Sequence, residues 1–293
     1  METRRFFIRR SLLLYLVAAC SCAPIAAKAP APSSPAPSSS TPSSPAPAGQ
    51  RPYRILITND DGIDAAGLNA LLEAAQNFGE ATIVAPAEPQ SGVSHAVTWH
   101  EGVRIEPRGE KRQSGSNRHS GSERFAIHGT PADCIRLGLL HLVPDANWVL
   151  SGINHGANLG ADVYYSGTVA AVREAILHGW PGIAFSHYRK KGAEFDWPRA
   201  TRWITPLLRE LLDRPVELGL FYNVNLPLLP PGAPDPEIIW CPLDPKPLPL
   251  NYRHEEETGL YYAGDYNLRV RTPKADVDVC FNGNVAVSQV KLL

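Results

Sequence analysis

The sequence predicts a doubly wound, Rossmann-like α/β fold on a mostly parallel sheet, with a β-rich C-terminal extension. Three observations predict it. Short apolar runs at 55–57, 81–85, 148–150 and 183–186 lack the alternation of half-exposed strands, as expected for strands buried on both faces. Segments with helical spacing follow them over short connections, as βαβ units require. Each run then empties into a polar loop, and ligands bind at that edge of open α/β sheets.

The first run, Ile55-Leu56-Ile57, leads into Thr58-Asn59-Asp60-Asp61-Gly62. Neighbouring carboxylates repel, and burying either is costly unless a cation or a set of donors compensates. At the carboxyl end of a strand the pair reads as a hard-cation site; by itself it reads equally well as a solvated turn. Leu68, Leu71, Leu72 and Ala75 have helical spacing, with Gly79 suited to a C-terminal cap. The second strand, 81–85, opens into an irregular loop, 86–95, ending at His95. There Ser91 beside Gly92 can offer a hydroxyl and an uncrowded backbone, although loop serines commonly serve turns.

Residues 98–106 and 124–128 read as strands around a polar loop carrying Lys111, Arg112, Arg118 and His119. That loop reads first as solvated, second as a rim guiding phosphate. Thr130, Pro131 and Asp133 open a helix as N-cap, first-turn proline and dipole-facing acid, with Ile135, Leu139 and Leu142 toward the sheet. The strand 148–150 feeds a loop with Gly152, Gly156 and Gly160 at four-residue spacing and Asn154 and Asn158 between them. This is neither a dinucleotide fingerprint nor a Walker loop. Tyr165-Ser166-Gly167-Thr168 begins a helix that ends near His178, with Gly179 as cap. Its first N–H groups and two hydroxyls form an anion site, and Gly167 permits close approach. Replacing Gly167 is expected to crowd the anion and leave the metal ligands untouched. Asp60, Asp61, Ser91, Asn154 and this helix end together point to a hard cation beside a phosphate. All-oxygen ligation favours Mg²⁺ or Mn²⁺ over Zn²⁺.

Further on, Trp203, Leu207, Leu208 and Leu211 mark one face of a helix over 203–212. Residues 227–249 are too proline-rich for regular structure, and 260–271 and 277–290 alternate as strands.

The N-terminus speaks of location. Thr3-Arg4-Arg5-Phe6 fits a twin-arginine export signal, followed by an apolar run at 11–19 too short to span a bilayer. Leu16-Val17-Ala18-Ala19-Cys20 resembles a lipoprotein processing site, at which Cys20 would be acylated; ordinary cleavage nearby is the other reading. Either way residues 1–22 are a signal, and the domain at 51–293 is exported to the periplasm or cell surface, with a lipid anchor as its membrane attachment. Residues 23–50, nearly all Pro, Ala and Ser, form a disordered tether reaching up to roughly 80 Å at ~3 Å per residue. The net charge of −1 and the lack of a basic stripe exclude a polymeric nucleic acid partner. Cys134, Cys241 and Cys280 have no Cys-x-x-Cys pairing and read as core cysteines.

Taken together, Ile-Thr-Asn-Asp-Asp-Gly at 57–62, Ser-Gly at 91–92, Gly-Thr-Pro-Ala-Asp-Cys at 129–134, Ser-Gly-Ile-Asn-x-Gly-x-Asn-x-Gly at 151–160 and Tyr-Ser-Gly-Thr-Val-Ala-Ala at 165–171 resemble the SurE family of survival-protein nucleotidases. The resemblance runs from about 54 to 186 and thins through 222–227. It implies a metal-dependent phosphohydrolase acting on nucleoside 5′- or 3′-monophosphates and other phosphomonoesters. It further implies catalytic Asp60 and Asp61, and one Mg²⁺ or Mn²⁺ per subunit on Asp60, Asp61, Ser91 and Asn154. Asn158, Ser166, Gly167 and Thr168 would lie near the phosphate. His95 would either contact phosphate, move a proton or serve structure. A homodimer or homotetramer is implied too. Arg173, Ala175, the short C-terminus and the export signal depart from the commoner family pattern. Whether water or Asp60 attacks phosphorus is open. A receiver-like switch would need a third strand-end Asp and a later Lys, where this chain has Ser151-Gly152-Ile153-Asn154 and Phe185-Ser186. A tethered nucleotide-binding lipoprotein without turnover is the remaining alternative.

Overall fold

The computed structural model describes residues 52–109, 122–256 and 259–292. The signal with Cys20, the tether, and Lys111, Arg112, Arg118 and His119 lie outside the described residues. The chain runs β1 (Tyr53–Thr58), α1 (Ala66–Ala75), β2 (Gly79–Pro86), β3 (Ile105–Pro107), β4 (Arg124–Ile127), α2 (Pro131–Leu137), β5 (Trp148–Asn154), α3 (Gly167–Leu177), β6 (Gly182–His187), α4 (Trp197–Leu212), β7 (Leu220–Leu226), β8 (Ile238–Trp240), β9 (Tyr252–Glu255), β10 (Gly259–Tyr262), α5 (Asp276–Phe281) and β11 (Val285–Lys291). One sheet has the order β3-β4-β2-β1-β5-β6-β7-β11-β8, and β9 and β10 form a separate hairpin. Pairing is parallel from β4 to β7 and antiparallel where β3 meets β4 and β11 meets β7.

Alternation along β1 makes the sheet doubly wound. Ile55 and Ile57 pack with Leu68 and Leu71 of α1 and Ile204 and Leu208 of α4. Leu56 points the other way, onto Ile135 of α2 and Ala171 and Ala175 of α3. The chain leaves β1 toward β2 on one side and returns to β5 on the other. The carboxyl ends of β1 and β5 therefore flank a topological switch point, where a crevice forms.

Several local expectations are corrected. Helix α1 ends at Gln76, and Gly79 instead starts β2, where a Cβ would fall 2.0 Å from the Tyr53 carbonyl oxygen. Residues 98–104 are not a strand. The Thr98 N–H and Oγ1 donate to Asp133 at 3.0 and 2.7 Å, so a side chain takes the place of a ladder partner. The proline-rich stretch contributes the short β8, paired with β11. Within 260–271 the strand stops at Tyr262 and a 3₁₀ turn follows at Tyr266–Leu268. Val277-Asp278-Val279 alternates like a strand yet lies in α5, whose first turn gathers Asp276 and Asp278 at the positive dipole end.

Candidate active site

The Asp turn is built from its own residues. The Asn59 amide donates to the Gly62 carbonyl at 2.9 Å, and Gly62 takes φ +98°, which favours glycine. The loop after β2 is pinned against this turn, its Gln90 N–H donating to the Asp60 carbonyl at 2.8 Å and the Ile63 N–H donating to the Pro86 carbonyl at 2.8 Å. That sets exposed Ser91 at the rim beside Asp60.

Asp60 is 6% exposed. Burial, reinforced by the charge of Asp61 and opposed by the Thr168 hydroxyl, pushes its pKa up to about 6. Thr168 Oγ1 donates to Asp60 Oδ1. Burial also raises the Asp61 pKa, opposed by His155 and by the positive charge of Arg189. The His155 N–H donates to Asp61 Oδ2 at 3.1 Å, and its ring Nδ1 lies 3.9 Å from Asp61 Oδ1. Two carboxylates are thus held at the switch point, with burial opposing the charge of each.

Helix α3 points its first turn at Asp60. A Cβ on Gly167 would lie 2.9 Å from both Cβ and Oδ2 of Asp60, so only glycine fits without displacing the carboxylate. The expectation that a larger residue at 167 spares the metal ligands is corrected: the clash is with Asp60 itself. Ser166 Oγ accepts from the Val169 N–H at 3.1 Å as N-cap, and Thr168 is committed to Asp60. Both residues at the start of α3 thus have partners within the protein.

The loop after β5 splits its asparagines between two tasks. The Asn154 amide donates to the Gly156 carbonyl at 2.8 Å, and the next residue, His155, bonds Asp61 through its N–H. Asn158 is turned inward, its amide donating to Ser186 Oγ at 2.7 Å. Its N–H donates to Asn225 Oδ1, while its carbonyl accepts from Asn223 and Asn225 at 2.8 and 3.0 Å. It shapes the loop rather than facing the groove. The C-terminal extension buttresses the same loop, with Arg269 and the Tyr266 hydroxyl on Asp162 at 3.0 and 2.5 Å and Asp276 accepting from the Gly160 N–H at 2.7 Å.

His95 engages Glu174 of α3, Nε2 to Oε2 at 2.8 Å. Glu174 is 2% exposed and also meets Arg136 of α2 and His178, the latter at 3.0 Å. Burial alone would raise its pKa, but His95, Arg136 and His178 hold the carboxyl down at about 2. His95 therefore clasps the Ser91 loop onto α2 and α3.

The sequence reading missed His155 and Arg189 beside Asp61, the clasping Glu174, and Phe195 and Trp197 against His155. His155 lies inside the glycine-spaced motif, and Arg189 follows the carboxyl end of β6, so position was the available signal. A divalent cation fits these residues, because two adjacent carboxylates are held here with burial opposing the charge of each. Among the described residues no third His, Cys, Asp or Glu joins the pair in a ligand cluster.

The family model for survival protein SurE matches residues 55–243, a span that contains every one of these groove residues. The chain belongs to the SurE family. A Nostoc sp. relative, provisionally named a 5′-nucleotidase, is 50% identical over 240 residues, covering 81% of this chain and 99% of that protein. The 5′-nucleotidase SurE of Myxococcus xanthus is 43% identical over 189 residues, 64% of this chain and 65% of its own length. The crystal structure of the SurE protein from Aquifex aeolicus superposes with a TM-score of 0.67 at 28% identity, covering 82% of this chain and 94% of that one. The structural match thus covers more of the chain than the family model does.

Proposed function

We propose that this chain is a phosphoric monoester hydrolase that releases phosphate from nucleoside 5′-monophosphates. Nucleoside 3′-monophosphates and other small phosphomonoesters are further candidates. One divalent cation, Mg²⁺ or Mn²⁺, would be held by Asp60, Asp61, Ser91 and Asn154. The observation that carries this is the Asp60–Asp61 pair, with buried Asp60 lying under the N-terminus of α3. The nucleotidase names of its SurE relatives support it.

When bound, the cation supplies charge neutralisation at a phosphate oxygen and acidifies a water. The residues of the chain do the rest. Thr168 fixes the rotamer of Asp60, and His155 orients Asp61. The first turn of α3 offers N–H groups and its positive dipole end to the phosphate. Hydrolysis adds a water oxygen to phosphorus, breaks the ester P–O bond and leaves a proton on the departing hydroxyl. Asp60 and Asp61 would carry that proton on its way.

We further propose export and acylation at Cys20, with the tether holding the enzyme off the membrane. Self-association through the C-terminal extension is supported by exposed Tyr252, Leu260 and Tyr261 on the β9–β10 hairpin. The test of the activity is phosphate release from a panel of nucleoside monophosphates and base-free phosphoesters, with each metal added after chelation. No release from any substrate with any metal would overturn it.

A further inference from the structure

Three rings lie immediately beyond Asp61. The His155 ring, 3.9 Å from the Asp61 carboxylate through Nδ1, has centroid distances of 5.3 Å to Phe195 and 5.1 Å to Trp197. Their planes are within 30° and 31° of the imidazole, and Phe195 and Trp197 stack on each other at 4.7 Å and 24°. The group is held from behind. His187 meets Phe195 and Trp197 edge-on at 73° and 83°, and the tip of Trp197 sits 3.1 Å from where a Gly67 Cβ would be. Burial pushes the His187 pKa down to about 4, so this support is uncharged near pH 7. Phe195 and Trp197 bracket Asp196, whose side chain caps α4 by accepting from the Arg199 N–H at 2.9 Å. The cap thus fixes both aromatics at the sheet edge where the carboxylates open. His155, Phe195 and Trp197 are each half-buried and keep part of their surface open.

We propose that His155, Phe195 and Trp197 form the surface on which the base of a bound nucleoside monophosphate stacks. This rests on the phosphohydrolase reading, which puts the phosphate at Asp60, Asp61 and the start of α3. Phosphate and cation chemistry alone gives no use for three near-parallel rings at the edge of the groove. A ribose carries the base away from phosphorus, and the His155 ring next to Asp61 packs in turn on Phe195 and Trp197. Stacking tolerates every base, because each has a π face, so the wall selects nucleotides as a class over base-free phosphoesters. The small cavity behind the wall, about 70 Å³ and lined by His187, Glu194, Asp196, Arg199 and Trp203, is charged and too confined for a base.

The test uses two non-hydrolysable ligands in which carbon replaces the scissile oxygen, the methylene phosphonates of adenosine and of ribose. Their affinities are measured by calorimetry with Mg²⁺ or Mn²⁺ on the full chain, on Phe195→Leu and on Trp197→Leu. Leucine keeps the apolar bulk and removes the π face. The wild type should bind the nucleoside ligand about ten-fold or more tighter than the ribose ligand, and either variant should lower that ratio about ten-fold. A ratio near one in the wild type, or one unchanged in both variants, would overturn the proposal. Stacking is read as a ratio of affinities, independent of turnover. A ratio lost in the variants, together with no phosphate release from adenosine 5′-monophosphate, would keep the wall and remove the hydrolase reading.

Discussion

Gly167 roofs Asp60: a methyl group on the glycine would stand 2.9 Å from the Asp60 Cβ and from Oδ2. The start of α3 and the acidic turn after β1 are thereby one unit, joined also by Thr168. The absence of a side chain at 167 lets a helix N-terminus, with its positive dipole end, approach a buried carboxylate.

Gly167→Ala should therefore act on the metal site as well as on the phosphate. Asp60 or the first turn of α3 must shift, so Mn²⁺ affinity should fall at least several-fold and turnover about ten-fold or more, in a folded protein. Metal titration by calorimetry checks this. Unaltered metal affinity with weakened phosphate inhibition would instead separate the two sites.

Asp60→Asn should stabilise the metal-free protein at neutral pH. The Asp60 pKa is raised to about 6 when folded, chiefly by burial, so its contribution to stability is complete below the ordinary 3.8 and is lost as pH rises through about 6. The loss is roughly 2–3 kcal/mol. Asparagine can still accept from Thr168 and carries no charge to bury. Urea unfolding in chelator should show the variant above the parent at pH 8, with the gap narrowing toward pH 4.

Glu174→Gln should do the opposite. The folded carboxyl titrates at about 2, held there by His95, Arg136 and His178, so its contribution is complete above the ordinary 4.5 and is lost as pH falls through about 2. Breaking this buried cluster should cost about 3 kcal/mol at pH 7, a difference that shrinks toward pH 2. Because His95 tethers the loop carrying Ser91, KM should rise too. Equal unfolding curves at pH 7 would remove the clasp from the account.

Cys20→Ala should abolish lipid modification and release the protein from membranes. Three acyl chains anchor firmly where one binds marginally. Mass spectrometry of the mature N-terminus decides it, and an unmodified N-terminus beyond Cys22 would refute acylation.

The parallel centre of the fold is legible because β1, β2, β5 and β6 are buried on both faces and so read as unbroken apolar runs. Helix α3 is legible from both ends, through its Ser166 cap and Gly179, which adopts φ +89°. The short edge strand β8 is not, and β3 is read too long, since three residues carry no period and depend on the neighbour that accepts them. The strand ends announce Asp60, Asp61, Ser91 and Asn154. What they cannot announce is the direction of each side chain: Asn158 and Thr168 have ligand chemistry but are bound to Ser186 and Asp60. Nor could periodicity reveal that the segment after β6 returns to the same edge and lays Phe195 and Trp197 against His155.

If the Asp60–Asp61 pair works through a bound cation, phosphate release from a nucleoside 5′-monophosphate by the wild type and Asp61→Asn across a metal titration after chelation will show it. The wild type should be silent in chelator and recover with Mg²⁺ or Mn²⁺, while the variant stays folded and inactive at limiting metal. Wild-type release that persists in chelator, or near wild-type turnover by Asp61→Asn at limiting metal, would contradict the account.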